Sequence, residues 1–234
     1  MISRKYFLIL SLCLLSFSCS SAERFEKGEF ECEDFTIPYR FAHFNQNKTD
    51  ALLFVFLHGK SACGTDNDAQ LTKDSLIHAV DYIKSRTLNA FVLAPQCTEE
   101  RQWGKINSEV KSLIEDFCRK NNIKSENILL CGESMGGGGV WTLINRHPDF
   151  ARRAVAIASS APINADYKRL AKTPLYSVLG DVDKIGDPKK VKPVIERLQE
   201  MGCEAKIKIL ENHDHEPTCA DGLSEDVLDW LFAD

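Results

Sequence analysis

A serine held between two glycines, with an apolar run in front of it and a helical pattern behind, constrains this chain more than any other feature. Asn127-Ile128-Leu129-Leu130-Cys131 leads into Gly132-Glu133-Ser134-Met135-Gly136, and Gly137-Gly138-Gly139-Val140-Trp141-Thr142-Leu143-Ile144 follows. A strand that turns into a helix within one residue forces that residue into a strained backbone conformation, and side chains on its flanks would collide with the neighbouring strand and helix. Glycine at 132 and 136 removes the collision. The turn also sets Ser134 at a helix N-terminus, where unpaired amides face an incoming carbonyl oxygen. The Met135 N–H is therefore a candidate oxyanion donor.

The rest of the chain repeats the same beat. Leu52 to Leu57 is a continuous apolar run, as expected of a strand covered on both faces, and it ends at His58-Gly59. Helices are expected at about 74–86, 107–121, 134–146, 189–201 and 223–232, and strands at 89–95, 126–131, 153–159, 174–180 and 205–210. An antiparallel pair is expected to open the domain between Gly28 and Ala51. Asn107 is expected to cap its helix, Pro148 to close the elbow helix, Pro188 to open the next and Gly202 to end it. This alternation predicts an α/β fold, a mostly parallel central sheet of about eight strands with helices on both faces, and an active site at the strands' carboxyl ends.

Composition narrows the function. The chain has 234 residues, 44% of them hydrophobic, which suits one core and one domain over residues 23–234. The formal charge is −5 and no Lys/Arg stripe interleaves with aromatics, so nucleic acid is not an expected partner. The Gly136–Gly139 run lacks the Gly-Lys-Ser/Thr that a phosphate loop needs. No Cys-x-x-Cys spacing occurs, and no cofactor or metal is implied.

Residues 1–22 have the three-part build of a secretory signal: Arg4 and Lys5, an apolar run from Tyr6 to Leu15, then small residues to Ala22. Leu14 to Cys19 also resembles a loose lipoprotein box, in which Cys19 would become the lipidated first residue and the sole link to a membrane. Either reading makes the protein exported: periplasmic, an outer-membrane lipoprotein, or secreted. Of nine cysteines, Cys13 and Cys19 fall in this leader. Cys63 and Cys97 follow the ends of strands expected to be neighbours, so a bridge between them is one reading and free thiols the other.

A serine hydroxyl becomes a nucleophile when a base takes its proton, and a carboxylate then fixes the base's tautomer and stabilises its charged form. The strand Pro174 to Leu179 ends at Gly180-Asp181-Val182-Asp183, and the strand Ala205 to Leu210 ends at Glu211-Asn212-His213-Asp214-His215. These give two candidate acids, Asp181 and Asp183, and two candidate bases, His213 and His215.

These segments, with Leu57-His58-Gly59, Gly64-Thr65-Asp66-Asn67, Ala94-Pro95-Gln96-Cys97 and His147-Pro148, make the chain resemble the α/β-hydrolase superfamily. Its small secreted esterases are the best match, those of the phospholipase/carboxylesterase, feruloyl-esterase or polyhydroxybutyrate-depolymerase kind. The resemblance covers nearly everything after residue 35. It implies Ser134 as nucleophile, Asp183 as acid in preference to Asp181, and His215 as base in preference to His213. It also implies Lys60 and Met135 as backbone oxyanion donors, with Lys60 standing where relatives often have a small residue. His58 is expected to support the oxyanion loop, and His43, His78 and His147 to pack or face solvent. Gln96 and Trp103 are candidates to line the substrate pocket. The implied function is hydrolysis of a small-molecule or polymer-linked carboxylic ester through an acyl-enzyme. A peptidase of the prolyl-oligopeptidase kind and a catalytically silent binding protein of the same fold are the alternatives.

Overall fold

A computed structural model describes residues 25–46 and 50–233. The leader, including Cys19, lies outside the described residues. The strands are β1 (Glu26–Glu31), β2 (Thr36–Phe44), β3 (Leu52–Leu57), β4 (Ala90–Pro95), β5 (Ile128–Glu133), β6 (Arg153–Ile157), β7 (Leu175–Gly180) and β8 (Ala205–Leu210). The helices are α1 (Asp74–Ser85), α2 (Asn107–Asn121), α3 (Met135–Arg146), α4 (Tyr167–Leu170), α5 (Pro188–Glu200), α6 (His215–Asp221) and α7 (Glu225–Phe232).

The strands form one sheet in the order β1-β2-β4-β3-β5-β6-β7-β8. Strand β2 runs antiparallel to both β1 and β4, and every later pairing is parallel. The antiparallel opening, the eight strands and the parallel body agree with the sequence expectation.

Alternation along β3 shows why its apolar run is continuous. Leu53, Val55 and Leu57 join one hydrophobic core, whereas Phe54 and Phe56 join the other. The first core is closed by α2, α3 and α5 through residues such as Leu113, Val140 and Ile195. The second is closed by α1 and α7 through Leu76, Ile83, Val227 and Leu231. Both faces of the sheet are therefore dry, and the reactive groups are displaced to its carboxyl edge.

Pro188 is the first residue of α5, and Gly202 follows its end with φ of +82°, as the helix-stop reasoning requires. Asn107 corrects an expectation. Ile106 holds the cap position of α2, and the Asn107 side chain is buried with neither polar atom hydrogen-bonded. The turn in which the Lys105 and Ile106 amides bond to Gln102 O starts the coil early and carries Asn107 inside it. The expected final helix at 223–232 begins at Glu225, and α6 precedes it unannounced. Pro217 in the first turn of α6 obscures it in the sequence, yet proline is tolerated there because that amide has no intrahelical partner.

Candidate active site

Strand β5 delivers Ser134 into the turn before α3, with φ of 52° and ψ of −115°. An L-residue seldom occupies this region, so the surroundings must hold it there. Ser134 N–H donates to Ile157 O at 2.9 Å, and Ser134 O accepts from Gly138 N–H at 3.0 Å. The flanking glycines are needed for space: a Cβ on Gly132 would lie 2.4 Å from Gly136 O, and one on Gly136 only 1.8 Å from Leu57 O.

Strand β7 ends at Gly180, and the turn beyond it buries Asp183, which is 4% exposed. One carboxylate oxygen, Oδ1, accepts the amides of Ile185 at 2.7 Å and Gly186 at 3.1 Å. The other, Oδ2, lies 3.0 Å from His215 Nδ1. His215 is the first residue of α6, and its Nε2 stands 2.7 Å from Ser134 Oγ. These partners assign the proton: Nδ1–H donates to Asp183, and Nε2 accepts from the serine hydroxyl.

The competing residues fall elsewhere. His213 Nδ1 bonds the Glu211 carbonyl at 2.7 Å, and its Nε2 meets Asp221 Oδ2 at 3.1 Å, so it faces away from Ser134. Those two partners raise its pKa, the carbonyl first. Asp181 Oδ1 accepts the His213 amide at 3.3 Å.

Lys60 opens a short 3-10 turn, Lys60–Ala62, and Met135 opens α3. Their backbone N–H groups therefore lack the intrahelical acceptor that later residues have. His58 supports this loop from beneath. It is fully buried, its Nδ1 bonds Gly59 O at 2.7 Å, and its Nε2 accepts the Cys97 amide at 3.0 Å. Burial drives its pKa down to about 4, so the ring is neutral.

Gln96 and Trp103 do not line the cleft. Gln96 is 1% exposed and holds the 62–67 loop by accepting the Asn67 amide at 2.7 Å and donating to Ala62 O at 3.1 Å and Asp66 Oδ1 at 2.8 Å. Trp103, also 1% exposed, donates to His58 O at 2.9 Å. Both act behind the oxyanion loop, because their polar groups are spent on its backbone and on the 62–67 loop and not turned to the cleft. His43 stacks on Phe91 with centroids 3.7 Å apart. Cys63 and Cys97 are free thiols.

The cleft over Ser134 has a volume of about 320 Å³ and is walled by Lys60, Ser61, Lys73, Glu133, Ile185, His215, Glu216 and Cys219, among others. Lys73, Ser61 and Glu216 carry no sequence signal that marks them. Glu133 lies inside the serine motif, at a position that the turn itself leaves open to any residue.

Residues 77–225 match the dienelactone hydrolase family. No curated protein matches the sequence. Among solved structures, a thermostable esterase superposes with a TM-score of 0.80 at 24% identity, covering 90% of this chain and 63% of its own. This chain thus spans less than two thirds of that esterase. The feruloyl esterase module from Clostridium thermocellum, in a serine-to-alanine form complexed with sinapinate, gives a TM-score of 0.70 at 14% identity, covering 90% of this chain and 88% of its own. An acylaminoacyl peptidase of Pyrococcus horikoshii gives 0.65 at 14% identity, covering 88% of this chain and 41% of its own. These likenesses establish the α/β-hydrolase fold. With the sheet order, the serine elbow and a matched region that spans most of the folded domain, the chain belongs to the dienelactone hydrolase family.

Proposed function

We propose that this protein is an exported serine hydrolase that cleaves carboxylic esters through an acyl-enzyme. The single observation behind this reading is the chain of contacts from Ser134 Oγ to His215 Nε2, 2.7 Å, and from His215 Nδ1 to Asp183 Oδ2, 3.0 Å. Family membership supports the hydrolytic chemistry. The leader at residues 1–22 is the support for export.

In the first half-reaction Ser134 Oγ attacks the ester carbonyl while His215 takes its proton. The imidazolium that forms is stabilised by Asp183, whose second oxygen is already anchored by two backbone amides. Negative charge collects on the former carbonyl oxygen, and the amides of Lys60 and Met135 are the donors for it, a contribution of roughly 3–4 kcal/mol for a lost donor in comparable sites. His215 then hands its proton to the departing alcohol. Water, deprotonated by the same ring, attacks the acyl-enzyme and releases the acid. The small volume of the cleft, about 320 Å³, favours short acyl or polymer-linked esters, such as acetyl or feruloyl groups on polysaccharide.

Labelling with a fluorophosphonate tests the reading. Ser134 is expected to be labelled, and Ser134→Ala is expected to abolish both labelling and ester turnover. An unlabelled wild-type protein that turns over no acetyl, feruloyl, lipid or peptide substrate would refute it. Mass spectrometry of the mature N-terminus tests export: a chain still starting at Met1 after expression in a secreting host contradicts it.

A further inference from the structure

Glu133 stands beside the serine, is 3% exposed and has no part in the proton relay. We infer that Glu133, paired with Lys73, is a positioning residue that holds the Gly59–Ser61 loop against the serine elbow and thereby aims the Lys60 amide. The inference rests on the ester hydrolase reading above.

Both neighbours of Lys60 touch this pair. On one side, Gly59 lies so close to the elbow that a Cβ built on it would be 3.4 Å from Glu133 Oε1 and 3.4 Å from Ser134 Cβ. On the other side, Lys73 Nζ reaches Ser61 Oγ at 2.5 Å while standing 3.8 Å from Glu133 Oε1. The ion pair is sequestered, with side chains 19% and 4% exposed. The contacts thus run Ser134 elbow, Glu133, Lys73, Ser61, with Lys60 in the middle of the clasped loop.

Stability alone does not account for this arrangement. Replacing a buried ion pair by apolar residues is often neutral or stabilising, whereas removing one partner strands the other charge. Desolvation raises the Glu133 pKa, and Lys73 foremost opposes it, aided by the Ser75 hydroxyl and the Gly59 amide. Glu216 pushes the other way, and the thiols of Cys131 on its own strand and Cys219 on α6 also face it. A carboxyl set in so dry a place, with both ends of its pairing with Lys73 fastened to one loop, has directional value that an aliphatic residue would not supply.

Four variants, Glu133→Gln, Glu133→Ala, Lys73→Met and the double Lys73→Met/Glu133→Gln, would be compared with wild type. The readouts are kcat and KM on p-nitrophenyl acetate, active-site titration by fluorophosphonate and thermal melting. Glu133→Ala and Lys73→Met are expected to lower kcat per titrated site by roughly 10- to 100-fold, with KM within about threefold, because a misaimed oxyanion donor costs less than a lost one. Glu133→Gln keeps an acceptor near Gly59 and is expected to lose about tenfold. The double variant is expected to be no slower than Lys73→Met alone, because the stranded charge is gone. Should Glu133→Ala fail to fold, the Gln and Met variants decide. Lowered melting with unchanged kcat per titrated site, or losses that simply multiply in the double variant, would overturn the inference while leaving the esterase reading intact. A wild type that neither labels at Ser134 nor turns over any ester would sink both.

Discussion

Asp183 and His215 are joined by a 3.0 Å hydrogen bond whose carboxylate side is wholly buried. The bond fixes the imidazole with its acceptor nitrogen toward the serine. Asp183→Asn keeps the shape but presents an amide that can donate toward Nδ1, so the acceptor and donor nitrogens exchange roles. The expected outcome is a fall in kcat of about 10³- to 10⁴-fold in steady-state assays, with an unchanged circular dichroism spectrum. His213→Gln, which removes the neighbouring ring bonded to Asp221, is expected to keep kcat within about twofold.

Two glycines two residues apart in α3, Gly136 and Gly138, differ in what they permit. A Cβ at Gly136 would lie 1.8 Å from Leu57 O, whereas one at Gly138 would meet nothing within 4 Å. Gly136→Ala is expected to destabilise the protein by about 3 kcal/mol or more, since strand β3 would have to move. Gly138→Ala is expected to stabilise it by about 0.5–1 kcal/mol, as alanine does inside a helix. Urea denaturation of the two variants checks both signs.

Stability is expected to depend on His58. Its folded pKa of about 4 lies below its ordinary 6.5, so between these values the unfolded chain binds more protons than the folded one. The neutral ring's contribution is intact above about pH 6.5 and is lost as pH falls through about 4, an effect of about 3 kcal/mol in total. Denaturant midpoints measured from pH 7 down to pH 4 should fall more steeply in wild type than in His58→Asn.

Gln96 gives a further expectation. Gln96→Leu would strip partners from the Asn67 amide, Ala62 O and Asp66 Oδ1, at a cost of about 1–3 kcal/mol for groups left without water or protein partners. Since the side chain does not reach the cleft, KM for small esters is expected to stay within about twofold. A KM shift of tenfold in a well-folded variant would return Gln96 to the substrate pocket.

The sequence foretold what periodicity and backbone sterics control. The apolar run of β3 and the glycines around Ser134 announce buried strands and a tight elbow, because both follow from local geometry. Ser134, Asp183 and His215 could be singled out because each follows the end of a strand, and the fold brings the three within hydrogen-bond reach of one another. Between His213 and His215 the local sequence held no decision; it came from α6, whose start at His215 turns that ring inward while His213 remains in the loop. Gln96 and Trp103 were misplaced for a similar reason. A position after a strand end fixes which edge of the sheet a residue occupies, and not its depth below that edge. Lys73 was invisible, since an isolated lysine ahead of a helix has many uses and only the folded chain brings it to Glu133.

The unusual backbone of Ser134, at φ 52°, also bears on how the molecule fails when heated. A conformation that a free chain avoids persists only while its neighbours insist on it. Slight loosening of the elbow should therefore disarm the hydroxyl while the sheet is still intact, so that turnover disappears some degrees before the spectroscopic melt.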